Sequence, residues 1–155
     1  MIKSIIPIIA AICLLSYACS FSTKKDSLET STDKPAEKIE NIPAMIPSGN
    51  GIIRLNVVNG KGKIAIHKKK NQIIYVEFES KGYKKITAQL YSTDSLANIR
   101  FSQIIFPNGN MDGPFDRNLS YSIPSDGICK LSIHENMMAG DPWGGIMEVE
   151  VSLTK

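Results

Sequence analysis

Two stretches near the end of the chain alternate in period two, and they constrain the fold more than any other feature. From Ile128 to His134, apolar Cys129, Leu131 and Ile133 alternate with Lys130, Ser132 and His134. From Ile146 to Leu153, Met147, Val149 and Val151 alternate with Glu148, Glu150 and Ser152. Successive side chains of a strand point to opposite faces, so each stretch predicts a strand with one apolar side. The loop between them, Met137 to Gly145, holds Trp143, the one tryptophan of the chain. A closing hairpin with an apolar face needs a second layer to cover it, which the preceding residues must supply.

They do so at hairpin spacing. Ile53, Leu55 and Val57 share a face, followed by Ile64 and Ile66, then Ile74, Val76 and Phe78. Ile86, Ala88 and Leu90 come next, and Leu119, Tyr121 and Ile123 precede the closing pair. The run from Ile99 to Phe106 is apolar on both faces, which predicts a strand inside a sheet. Asn59-Gly60, Lys70-Asn71, Lys81-Gly82, Asn108-Gly109 and Asp126-Gly127 punctuate the runs as turns. No segment has sustained helical periodicity. Residues 49–155 therefore predict one all-β domain, an antiparallel, jelly-roll-like β-sandwich of about eight strands.

What precedes the domain differs in kind. Residues 1–18 combine Lys3, an apolar run from Ile5 to Leu15, and small residues before Cys19, which is the layout of a signal peptide. The apolar run is too short to span a bilayer. With Cys19 directly after the cleavage position, the segment resembles a loose form of the bacterial lipobox, with Ser16 in the usual leucine position. That resemblance implies diacylation of the Cys19 thiol and attachment to a membrane of the cell envelope. The outer membrane is favoured, with the domain facing the periplasm or the cell surface. Residues 19–48 are polar and proline-punctuated, which predicts a flexible tether. With Cys13 removed and Cys19 acylated, Cys129 remains the one thiol of the mature chain, expected as a small buried hydrophobe.

Several stretches of the second half resemble a known family. They are Phe101 to Gly109, Asp112 to Phe115, Leu119 to Gly127, and Ala139 to Gly145 with the strand after it. Together they look like the end of a bacterial pre-peptidase C-terminal-like β-sandwich, an architecture shared by periplasmic inhibitors of g-type and i-type lysozyme. The resemblance implies a jelly-roll-like fold and a non-enzymatic role. Those inhibitors carry a Ser-Gly-x-Tyr motif in the loop that enters the lysozyme cleft. The matching positions here are Asp126-Gly127-Ile128-Cys129, with Ser125 displaced by one residue and no tyrosine.

The residues point away from catalysis. His67 and His134 both fall on outward strand positions, and neither a zinc motif nor a nucleophile elbow occurs. Asn108, Asn110 and Asp112 place oxygens at alternate positions before Gly113, like the first half of a calcium loop or an ordinary long turn. Lys68-Lys69-Lys70 reads as a solvated hairpin tip, and an exported chain of net charge +3 has no nucleic-acid partner in view. Trp143 either folds back over the sandwich edge or stands out as an anchor for an envelope protein or glycan. The longest loops, 107–118 and 135–145, carry Asp112, Phe115 and Asp116 in one and Asp141 and Trp143 in the other. Counting two strands between them places both at one end, as an acidic binding rim away from the lysine hairpin. Three functions follow: an envelope binding protein on a lipid anchor, a lysozyme inhibitor, or a calcium-dependent carbohydrate-binding module.

Overall fold

The computed structural model describes residues 43–155; the expected signal peptide, Cys19 and most of the expected tether lie outside the described residues. The described chain is all-β. Its strands are β1 (Ile52–Arg54), β2 (Lys61–Lys68), β3 (Ile74–Glu79), β4 (Lys85–Tyr91), β5 (Arg100–Ile105), β6 (Met111–Asp112), β7 (Asn118–Ser122), β8 (Ile128–His134) and β9 (Gly145–Thr154). They form a five-stranded sheet in the order β1-β3-β8-β5-β6 and a four-stranded sheet in the order β2-β9-β4-β7. The predicted β-sandwich is what forms. It has one strand more than expected, the short β6, and one parallel pair, β1 with β3. That pair is parallel because β2 lies in the other sheet and serves as the crossover between them.

The core lies where the alternation placed it. Cys129, Leu131 and Ile133 of β8 and Met147 and Val149 of β9 are fully buried. They meet Ile74, Val76 and Phe78 of β3 and Ile86 and Ala88 of β4 in one cluster. β5 departs from simple alternation. Ile99, Phe101, Ile104 and Phe106 are all buried, which requires a three-residue step between Phe101 and Ile104. A β-bulge supplies it, since Phe101 pairs with Ile133 but Gln103 with Ser132. Ser102 is the extra residue. The run that looked apolar on both faces is a bulged strand with one buried side. Gly113 crosses tightly over the bulge: a Cβ there would lie 2.2 Å from the Ser102 carbonyl oxygen, and its φ of +148° suits glycine.

The strand directions sort the connections into two ends. At one end, here the loop end, lie residues 69–73, 92–99 and 135–144. At the other, the turn end, lie residues 55–60, 80–84, 106–110 and 123–127. The chain enters along the free edge of β2, where Met45 N–H donates to the Ala65 carbonyl at 2.8 Å and His67 N–H to the Met45 carbonyl at 3.0 Å. This bridge is parallel to β2, so Pro43 lies on its turn-end side.

Candidate functional site

Side-chain hydrogen bonds hold the loops of the loop end to one another. Asn98 holds the 92–99 loop to the 135–144 loop with three hydrogen bonds. Its Nδ2 donates to the carbonyls of Asn136 (3.0 Å) and Asp141 (3.2 Å), and its Oδ1 accepts from Asn136 N–H at 3.2 Å. A second staple joins the same loops, with Trp143 Nε1 donating to Asp94 Oδ2 at 2.7 Å. Asp94 Oδ1 also accepts from Leu96 N–H at 2.9 Å. These two bonds, the indole's first, hold the Asp94 carboxyl below the usual carboxylate range. Arg117 donates to the Ala97 carbonyl and fixes the loop from the other side.

Beneath the loops sits a buried ion pair. Lys68 Nζ lies 2.5 Å from Glu135 Oε1, and both side chains are wholly inaccessible. Lys68 also donates to the carbonyls of Lys69 (3.0 Å) and Trp143 (3.3 Å), which uses all three ammonium protons. Glu135 Oε1 accepts in addition from Asn71 N–H at 2.9 Å. Burial alone would raise the Glu135 carboxyl, but the hydrogen bonds from Lys68 and from backbone amides outweigh it and lower it. The lysine hairpin was expected to be solvated throughout; Lys69 and Lys70 are exposed, whereas Lys68 is not. It continues the inward face of Ile64 and Ile66, so β2 directs it into the domain.

Trp143 is buried and belongs to the core cluster, so it folds back over the sandwich rather than standing out as an anchor. Gly145 makes room for it: a Cβ there would lie 2.5 Å from the indole ring. A Cβ on Gly144 would lie 2.9 Å from Lys70 N, so the tryptophan loop and the lysine hairpin are neighbours at one end, not features of opposite ends.

The single acidic rim does not assemble. Residues 111–117 run back along β5 instead of looping: Asp112 pairs with Ile104, Phe115 N–H donates to the Phe101 carbonyl, and Phe101 N–H donates to the Asp116 carbonyl. This unrecognised return adds a third crossing. The Asn108–Asn110 tip therefore lies at the turn end, opposite Asp141 and Trp143. Asp116 reaches the loop end, while Phe115 is half-buried against the core and edge-on to Tyr121.

Two of the three calcium-like side chains, Asn108 and Asp112, are taken up by hydrogen bonds within the fold. Asn108 Oδ1 accepts from Asn110 N–H at 3.0 Å. Asp112 Oδ1 accepts from Gly113 N–H at 2.7 Å, and Oδ2 from the Tyr121 hydroxyl at 2.6 Å, which ties β6 to β7. The Tyr121 bond, then the Gly113 bond, lower the Asp112 carboxyl, and the same contact raises the Tyr121 hydroxyl. Among the described residues, no three His, Cys, Asp or Glu side chains converge as metal ligands do.

The outer face of the four-stranded sheet is concave and carries polar side chains. A trough of about 940 Å³ runs over it, lined by Lys63, Thr87, Gln89, Asn118, Ser120 and Glu150 among others. Lys63 bridges Glu148 (2.8 Å) and Glu150 (2.9 Å), and those two hydrogen bonds raise its ammonium above the usual lysine range.

The staples of the loop end escaped sequence reasoning. Asp94, Leu96 and Asn98 sit in a stretch without periodicity, and their partners are distant in the chain. The inward position of Lys68 was legible from the alternation of β2.

No family model matches the chain, and no curated protein sequence does. In three dimensions the chain is similar to PliG of Aeromonas hydrophila, a periplasmic lysozyme inhibitor of g-type lysozyme, with a TM-score of 0.52 and 12% identity. The match covers 72% of this chain and 99% of PliG, so the described domain shares its fold with that inhibitor.

Proposed function

We propose that this chain is a non-catalytic binding protein of the cell envelope, lipid-anchored through Cys19, and that its partner is a lysozyme. The observation that carries the proposal is the fold. A sandwich spanning nearly all of an inhibitor whose own work is to bind a lysozyme suits recognition by loops held on a rigid frame. The stapled loop end supplies such loops. The Asp126-Gly127 turn departs from the inhibitors' Ser-Gly-x-Tyr motif, so this chain would engage its target through other residues.

The test is titration of the full chain, purified after export, into lysozymes of g, i and c type while muramidase rate is followed. The proposal predicts stoichiometric loss of rate for at least one type, and unchanged rates for all three would end it. The anchor is tested separately by Cys19→Ala, which should leave an uncleaved precursor or release the protein from membranes.

A second reading rests on the trough over the four-stranded sheet. Neutral amides and hydroxyls from three strands, with Tyr91 hydrogen-bonded to Gln89, suit a glycan chain without any metal. Binding on a glycan array that is lost in Gln89→Ala and Asn118→Ala would favour this reading over the first.

A further inference from the structure

The trough over the four-stranded sheet is bordered by two rows of side chains that the strand register lines up. In the first row, Lys63, Glu150, Gln89 and Asn118 are successive partners on β2, β9, β4 and β7. In the second, Lys61, Ser152, Thr87 and Ser120 are partners on the same strands. The floor between the rows is backbone, because Val151, Ala88 and Leu119 bury their side chains in the core and Gly62 has none. The rows stand two residues apart along the strands, about 7 Å, and the gaps between four strands make each row about 14 Å long.

We infer that the trough takes a linear, uncharged glycan of extended form, lying across the strands with about three sugar rings between the rows; the inference rests on the second reading of the function given above. An extended glycan of equatorially linked sugars is a flat ribbon, with hydroxyls along both edges and C–H groups on its faces. Each ring advances the chain by roughly one strand spacing, so successive rings meet successive strands. The ribbon's edges would face the two rows of donors and acceptors, and one C–H face would lie on the floor.

The charges favour a neutral chain. Lys61 and Lys63 stand against Glu150 and the neighbouring Glu148, and Lys63 bridges both glutamates, so the charges cancel. The amides are set before a ligand arrives: Gln89 Nε2 donates to Asn118 Oδ1 at 3.1 Å, and the Tyr91 hydroxyl donates to Gln89 Oε1. A chain lying along the strands fits less well, since it would leave one end of each row without contact. A chain that crosses the sheet reaches Lys61 on β2 and Asn118 on β7 together.

The experiment is calorimetric titration of the full-length protein with cello-, chito- and malto-oligosaccharides, each from disaccharide to hexasaccharide. Affinity for the cello or the chito series should rise about tenfold from disaccharide to trisaccharide and then level off. The malto series, whose α-linked chain coils, should bind at least about tenfold more weakly. Lys61→Ala and Asn118→Ala change exposed side chains at opposite ends of the trough and should melt like wild type. Each should weaken trisaccharide binding at least about fivefold. If one of the two leaves binding unchanged, the glycan does not cross the strands, and the inference falls although the second reading stands. Maltotriose bound as tightly as the extended trisaccharides, or oligouronates bound more tightly than either neutral series, would overturn it in the same way. If no oligosaccharide binds, the second reading fails and this inference fails with it.

Discussion

Lys68 and Glu135 meet at 2.5 Å with neither side chain reaching solvent, and they join the end of a strand in one sheet to the residue following a strand in the other. Apolar packing holds the two layers together along their length. At the loop end, this pair and its bonds to Asn71 and Trp143 add a polar tie. The tryptophan loop and the lysine hairpin are both tied to it.

Removing one partner leaves the other charged and buried. Glu135→Gln or Lys68→Met should each cost about 3–5 kcal/mol in denaturant unfolding. The double change Lys68→Met with Glu135→Leu should recover most of that loss, since an apolar pair of similar volume has no desolvation penalty. A double variant as unstable as the sum of the singles would mean that the two residues act independently.

The same pair sets a response to acid. Glu135 is held below its unfolded value, so its contribution is complete above about pH 4.3 and is lost as pH falls through the folded value. Unfolding free energy measured between pH 7 and pH 3 should therefore decline at the acid end. In Glu135→Gln that part of the decline should be absent.

Cys129 is fully buried, and burial pushes its thiol up to about 11, so little thiolate exists at neutral pH. A thiol reagent should label it slowly in the native domain and quickly in denaturant. Leu131→Ala, on the same face of β8, should cost about 2–5 kcal/mol through the cavity it opens.

Trp143 is expected to behave as core. Trp143→Ala should lower stability by about 3–5 kcal/mol, whereas Asp94→Asn should cost much less because Asp94 lies at the surface. Intrinsic fluorescence should report a shielded indole that becomes exposed only on unfolding.

Alternation made most of the fold legible. The inward faces of β8 and β9 could be read residue by residue, because a strand covered on one side has to be apolar at every second position. Lys68 was misjudged because lysine is usually solvated, although its position beside Ile64 and Ile66 pointed inward. The return of residues 111–117 was not legible. Its contacts with β5 are mostly backbone bonds, which leave no side-chain pattern, and missing that crossing moved one predicted loop to the wrong end. Asn98 has no signature either: its partners are Asn136 and Asp141, and only the folded chain brings them near.

The central claim is that this domain binds a lysozyme, and calorimetric titration of the full chain with a g-type lysozyme tests it most directly. The account predicts a one-to-one complex, with a negative heat-capacity change from burial of apolar surface. Absence of heat at every temperature, together with unaltered muramidase rates across lysozyme types, would contradict it.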